Sequence, residues 1–228
     1  MREQIMNTDQ VPFDFPDLVS NPEPRCPCLL LLDTSMSMRG PALEQLNDGV
    51  RTFKDQLSSD SMAMQRVEVA TVTFGPVKTV SEFQTADHFE PVTLIATGDT
   101  PIGSAIMHGL EMIDARKRDY RAAGISYYRP WIFLITDGGP TDPWQAAAQR
   151  VHSGDNAESK AFSFFGVGVE GANMEILAKI CSPSRPPLKL SGLNFRELFV
   201  WLSASLKGVS RSQVGTSVPL PHPGWASV

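Results

Sequence analysis

The chain has 228 residues, with 20 lysines and arginines against 25 aspartates and glutamates and a formal net charge of -5. That length supports one substantial hydrophobic core without requiring a second, and a mildly acidic balance with no block of like charge argues against a nucleic-acid partner. There is no run of about 18 apolar residues, and Met1 to Met6 lack the apolar core of a secretory signal, so a cytoplasmic protein without a membrane span is expected.

Residues 1–24 read as an extended arm that carries Pro12, Pro16, Pro22 and Pro24, with Phe13 and Phe15 available for local packing. Next comes an unbroken apolar run, Leu29 to Leu32, the signature of a strand buried on both faces inside a parallel sheet. Asp33 closes it, and Ser35 and Ser37 alternate with Thr34 and Met36, so three oxygens can point the same way. Beyond Pro41, the spacing of Leu43, Leu46, Val50, Phe53 and Leu57 predicts a helix with one buried stripe. Val67 to Phe74 reads as a strand, and Lys78 to Phe83 as a short antiparallel companion.

Gly98-Asp99-Thr100-Pro101 is a loop leading into a helix, with Thr100 at the N-cap and Pro101 at the first helical position. Ile102, Ile106, Leu110 and Ile113 form its stripe. Trp131 to Ile135 is a second buried strand, followed by the turn Thr136-Asp137-Gly138-Gly139. Asp142 before Pro143 reads as the cap of a helix from Asp142 to Val151. A strand from Phe162 to Val169, a short helix opened by Asn173, a strand at Leu188 to Leu190 and a helix striped by Phe195, Leu198, Phe199, Leu202 and Leu206 complete the domain, expected at residues 25–208. Residues 209–228 read as a tail, in which Trp225 lies among Pro219, Pro221 and Pro223.

This alternation predicts an α/β fold, a doubly wound, mostly parallel sheet with helices on both faces and one short antiparallel edge strand. In such a sheet the loops that leave the carboxyl ends of neighbouring strands share one edge, which sets Asp33 and Asp137 across a crevice with Thr100 at a helix start beside them. Hard divalent cations favour oxygen donors of this kind. Two bare carboxylates about 6 Å apart at an effective dielectric near 20 repel by roughly 3 kcal/mol, so a bound cation is expected to stabilise the fold.

The ordered combination of strand, Asp-x-Ser-x-Ser, Thr-Pro before a helix, and strand followed by Asp-Gly resembles the metal-ion-dependent adhesion site of von Willebrand factor A (VWA) domains, over roughly Arg25 to Lys207. The resemblance implies a divalent ion, usually magnesium, with manganese or calcium as substitutes, held directly by Ser35, Ser37 and Thr100, with Asp33 and Asp137 acting directly or through water. It also implies one coordination position left for an acidic side chain of a protein partner. Where the family often has Gly-Gly-Thr-Pro, this chain has Asp99 in place of the second glycine, an extra carboxylate at the rim. The Leu-rich first strand, Asp-Thr-Ser-Met-Ser and Gly-Val-Gly-Val look most like the bacterial tellurite-resistance TerY type, which implies an adaptor or regulator in a stress-response complex with a protein kinase or phosphatase as neighbour.

Other chemistries fit less well. Cys26, Cys28 and Cys181 are an odd number and imply no disulfide framework; Cys26-Pro27-Cys28 has no accompanying ligands for zinc and reads as buried thiols. Gly166-Val167-Gly168-Val169-Glu170-Gly171 satisfies the dinucleotide spelling but lacks the acidic residue about 20 positions on, so close helix packing or a bend is expected there. A phosphohydrolase or phosphotransferase using Asp33 is the alternative function, although position 35 is serine where that chemistry wants a second carboxylate or a lysine. Ser35 and Ser37 have no nucleophile elbow and no paired histidine. The sequence reading is therefore a binding module and not an enzyme.

Overall fold

Eight consecutive buried residues, Cys26–Asp33, form β1 near the middle of the sheet. The computed structural model describes Leu18 and residues 20–227, so Phe13, Phe15 and most of the expected arm lie outside the described residues. The other strands are β2 (Val67–Phe74), β3 (Lys78–Thr85), β4 (Trp131–Thr136), β5 (Ser163–Gly168), β6 (Leu188–Leu190) and β7 (Ala226–Ser227). They assemble in the order β3-β2-β1-β4-β5-β6-β7. Neighbours from β2 to β6 run parallel, while β3 and β7 are antiparallel edges.

Among the described residues, the helices that flank the sheet are α1 (Pro41–Ser58), α2 (Ser61–Arg66), α3 (Ile102–Ala122), α4 (Gln145–Gly154), α5 (Met174–Ile180) and α6 (Phe195–Ser210). The period-two alternation of a strand explains how one apolar run serves two cores. Leu30 and Leu32, with Cys26 and Cys28, join the α1 stripe of Leu43, Leu46, Val50, Phe53 and Leu57 and the α6 stripe of Phe195, Leu198, Phe199, Leu202 and Leu206. Leu29 and Leu31 face the other way, toward Ile102, Ile106, Leu110 and Ile113 of α3, Val151 of α4 and Leu177 of α5.

The sheet matches the predicted class, with three differences. β3 is eight residues long and not short, a second antiparallel edge exists, and the stretch expected as a tail returns to supply that edge. Trp225 drives this return: it is 2% exposed, belongs to the same core as α1 and α6, and stacks edge-on with Trp201 at 5.7 Å. The backbone carbonyl of Trp225 accepts from Ser191 N beside β6. Three prolines in the segment hid this pairing from the sequence pattern.

The glycines of Gly166 to Gly171 serve packing, as expected. A Cβ at Gly166 would stand 2.5 Å from Cys181 Sγ, and one at Gly168 would stand 2.3 Å from Met174 Sδ. All three cysteines are free and buried, and burial raises the thiols of Cys26 and Cys181 to about 12. Among the described residues no helix is long and apolar enough to cross a membrane.

At the amino end of β2, Glu68 is 1% exposed and accepts from Arg25 Nε at 2.9 Å, Arg116 Nε at 2.8 Å and Tyr120 Oη at 2.5 Å. This cluster joins β1, β2 and α3, and it gives buried cations their counter-charge. Removing one partner of such a network strands the others in low dielectric. We expect Glu68→Ala to destabilise the protein by roughly 3–5 kcal/mol in urea unfolding, whereas a loss below about 1 kcal/mol would match an exposed ion pair instead.

Candidate metal centre

The strand order reverses between β1 and β4, and the loops leaving their carboxyl ends form the crevice where ligands gather in sheets of this kind. Asp33 ends β1 there, fully buried. One carboxylate oxygen accepts from Ser35 N at 2.8 Å and the other from Thr136 Oγ1 at 2.5 Å, across from the end of β4. Burial raises the Asp33 carboxyl above its ordinary 3.8; the hydrogen bonds from Ser35 and Thr136 oppose the shift, and the charge of Asp137 adds to it last. Desolvation therefore outweighs the mutual repulsion of the carboxylates as the source of strain.

Ser35 Oγ and Ser37 Oγ are 2.9 Å apart, and Ser37 Oγ donates to Asp137 Oδ1 at 2.7 Å. A short 3-10 turn, Met36–Met38, places Ser37 one step outside Ser35 and leaves Met36 half exposed on the rim. Thr100 is 7% exposed, and its Oγ1 would stand 3.5 Å from a Cβ at Gly138. The structure thus brings Ser35, Ser37 and Asp137 into one hydrogen-bonded chain, sets Asp33 beneath it, and brings Thr100 up against the residue that follows Asp137.

Backbone contacts hold these loops together. Thr34 N donates to Phe74 O, Thr97 N to Thr34 O and Met36 N to Gly98 O, at 2.7–3.1 Å. The loops after β1 and β2 and the segment before α3 are thereby laced into one layer. Gly75 makes the approach possible: it has φ +127, and a Cβ there would stand 2.5 Å from Thr97 O and 3.0 Å from Ser35 N. Thr100 is fixed from the opposite side, where its N donates to Thr141 Oγ1 and its carbonyl accepts from Thr141 N.

Two local expectations differ. The helix after Thr100 begins at Ile102 with Pro101 at the N-cap, so Thr100 lies outside the helix and its side chain caps nothing. Asp142 does not cap the next helix; its carboxylate accepts from Gly103 N at 2.9 Å and from Ser104 N and Oγ at 2.7 and 2.6 Å, closing the amino end of α3 instead. Helix α4 then starts later, at Gln145. A Cβ at Gly103 would stand 2.2 Å from Pro143 O, and this tight seam is what lets Asp142 reach across. Thr136, Thr141 and Gly75 support the site and were missed because each works through backbone or through another side chain. Asp99 is exposed, as a rim residue should be.

The donor set fits a small divalent cation. Two oxygens on adjacent corners of an octahedron with metal–oxygen bonds of about 2.1 Å stand about 3.0 Å apart, close to the 2.9 Å between the serine hydroxyls. Asp33, meanwhile, is a buried carboxylate with no cationic partner among the described residues. Among those residues no cluster of three or more His, Cys, Asp or Glu side chains could hold a metal, so hydroxyls must carry a large share of any ligation.

The family model for the von Willebrand factor type A domain matches residues 29–196. The chain belongs to the VWA domain family. Solved structures agree on the fold. The pilus adhesin SpaC of Lactobacillus rhamnosus GG, in its open conformation, superposes with a TM-score of 0.63 at 13% identity, over 83% of this chain and 31% of that one. Proximal thread matrix protein 1 from the mussel byssus gives 0.55 at 17% identity, over 82% and 48%. Manganese-loaded TRAP protein of Plasmodium vivax gives 0.53 at 14% identity, over 78% and 73%. The chain thus spans about half the length of the mussel protein and about a third of the adhesin. No curated protein sequence matches it.

A carboxyl whose folded pKa is raised favours its neutral form, so the metal-free fold loses stability as pH climbs above the ordinary carboxylate range. In chelator we therefore expect Asp33→Asn to melt at or above the parent at neutral pH, with the parent gaining on the variant as pH is lowered. A variant that melts well below the parent at neutral pH would mean that this carboxylate is satisfied without a cation.

Proposed function

We propose that this VWA domain is a protein-interaction module whose grip depends on a divalent ion at the carboxyl edge of the sheet. The observation that carries the reading is the hydrogen-bonded chain Ser35, Ser37 and Asp137 above the buried Asp33. Ser35, Ser37 and Thr100 would hold the ion through neutral hydroxyls, with Asp33 and Asp137 contributing directly or through water. The ion supplies uncancelled positive charge at an exposed rim. A Glu or Asp of a protein partner is then attracted to complete the shell, which a site built of carboxylates alone would not need.

Magnesium is the proposed ion, with manganese an equivalent. Calcium, at about 2.4 Å from its ligands, would prefer adjacent oxygens nearer 3.4 Å apart, wider than the serine pair. The TRAP protein of similar fold is manganese-loaded, which is in keeping with a divalent ion of this kind. The burial of Asp33, and its use of both oxygens as acceptors, favour a supporting role for it over nucleophilic attack on phosphate. We accordingly read the protein as a non-enzymatic adaptor or regulator. Its sequence likeness to the TerY type supports the further proposal of a role in a bacterial tellurite-resistance or stress-response complex in the cytoplasm, with a protein kinase or phosphatase as the partner offering the acidic side chain.

Magnesium at a hundred times its dissociation constant is expected to stabilise the fold by about 2.7 kcal/mol, seen as a rise in melting temperature that chelator reverses. Capture of a partner from the native host should occur with magnesium, and should fail in chelator and with the folded variant Ser35→Ala. Capture that proceeds equally well under all three conditions would refute the metal-dependent reading.

A further inference from the structure

A cleft of about 660 Å³ opens at the opposite edge of the sheet, near the amino ends of β4 and β5, between the end of α3 and the segment after α6. Its lining includes Lys117, Arg121, Arg129, Lys160 and Arg185, with no Asp or Glu among the described lining residues. These are a quarter of the 20 basic residues of a chain whose net charge is -5. Such a gathering of like charge opposes folding unless it serves an anion.

Among the described residues, Asp155 stands behind this wall and Asp114 is close enough to act on Lys117. Asp155, 1% exposed, receives Arg129 Nη2 at 2.8 Å and Phe164 N at 3.0 Å, and has Arg185 Nε at 3.6 Å. Together Asp155 and Asp114 can offset two charges, which leaves a surplus of about three. Arg185 Nε is buried without a hydrogen-bond acceptor, while its guanidinium lies over Phe165 at 4.7 Å. Arg121 and Lys160 have no ion-pair partner among the described residues, and Lys160 is held at φ 47 at the mouth. Burial lowers the Lys117 ammonium below its ordinary value, with the charge of Asp114 opposing the shift and that of Arg121 adding to it last.

We propose that this cleft binds a small phosphorylated molecule carrying a diphosphate or longer phosphate chain. Arginine forks and lysine point charges suit phosphate oxygens, and the surplus matches the three to four negative charges of a diphosphate. The volume is that of a small-ligand site. Aromatic walls at Tyr127, Trp131 and Phe165 offer apolar surface to an attached ring or chain. The site is separate from the metal edge and independent of what that edge does.

The test is calorimetric titration of the full chain with pyrophosphate, ADP and inorganic phosphate, in chelator so that no ion at the other edge can hold the probe. Pyrophosphate or ADP should bind more tightly than inorganic phosphate. The double variant Arg121→Gln, Lys160→Gln should weaken binding by at least about tenfold, Lys160→Gln alone should weaken it less, and Ser35→Ala should leave it unchanged. Equal binding of pyrophosphate and ADP would identify the phosphate chain as the whole ligand, and tighter ADP would identify a nucleotide. The proposal is overturned if none of the probes binds at millimolar concentration, or if both cleft variants bind like the parent.

Discussion

The carboxylate of Asp33, buried at the end of the most protected strand, is the constraint on which the site depends. An ionised group there is costly unless something positive or a set of donors compensates, and the described residues offer hydrogen bonds from Ser35 and Thr136 but no cation. The fold tolerates this at the switch between β1 and β4, where the loops part and the solvent edge is near. The arrangement makes stability and cation binding the same quantity, since a cation that neutralises Asp33 and Asp137 also fastens the loops bearing Ser35, Ser37 and Thr100.

Convergence of residues a hundred positions apart follows from the backbone more than from the donors themselves. Gly75 lets the loop after β2 touch both Ser35 N and the segment before Thr100, and the seam between Gly103 and Pro143 joins the start of α3 to the loop after Asp137. Asp142 closes that seam by taking up the free amides at the amino end of α3. The donors are thus set by a rigid layer before any ion arrives, which is the preorganisation a binding site needs.

Much of this was legible in the residue pattern because the two buried runs, Leu29 to Leu32 and Trp131 to Ile135, are long, apolar and bounded by turn residues, and because helix stripes such as Leu43 to Leu57 keep their period. The donors stood out for the same reason, each sitting where a strand or loop signal stopped. What the pattern hid depends on tertiary contact. Asp142 precedes a proline and looks like a local cap, but its partners belong to a helix about forty residues earlier in the chain. Trp225 sits in a proline-rich stretch that reads as a tail, and the open face beside Trp201 decides its place. The basic cleft was invisible because its cations come from α3, from the loops around β4 and β5 and from the approach to β6, scattered in sequence and unremarkable in composition.

The two ends of the sheet are therefore electrostatic opposites. The carboxyl edge concentrates buried and half-buried carboxylates and calls for a cation; the amino edge concentrates guanidinium and ammonium groups and calls for an anion. The most direct test of the account is a crystal structure of the full chain grown with manganese, with the ion located by its anomalous scattering. A single peak about 2.2 Å from the hydroxyl oxygens of Ser35, Ser37 and Thr100 is expected. An ion bound elsewhere, with the two serine hydroxyls still bonded to each other and to Asp137 as they are without it, would contradict the account.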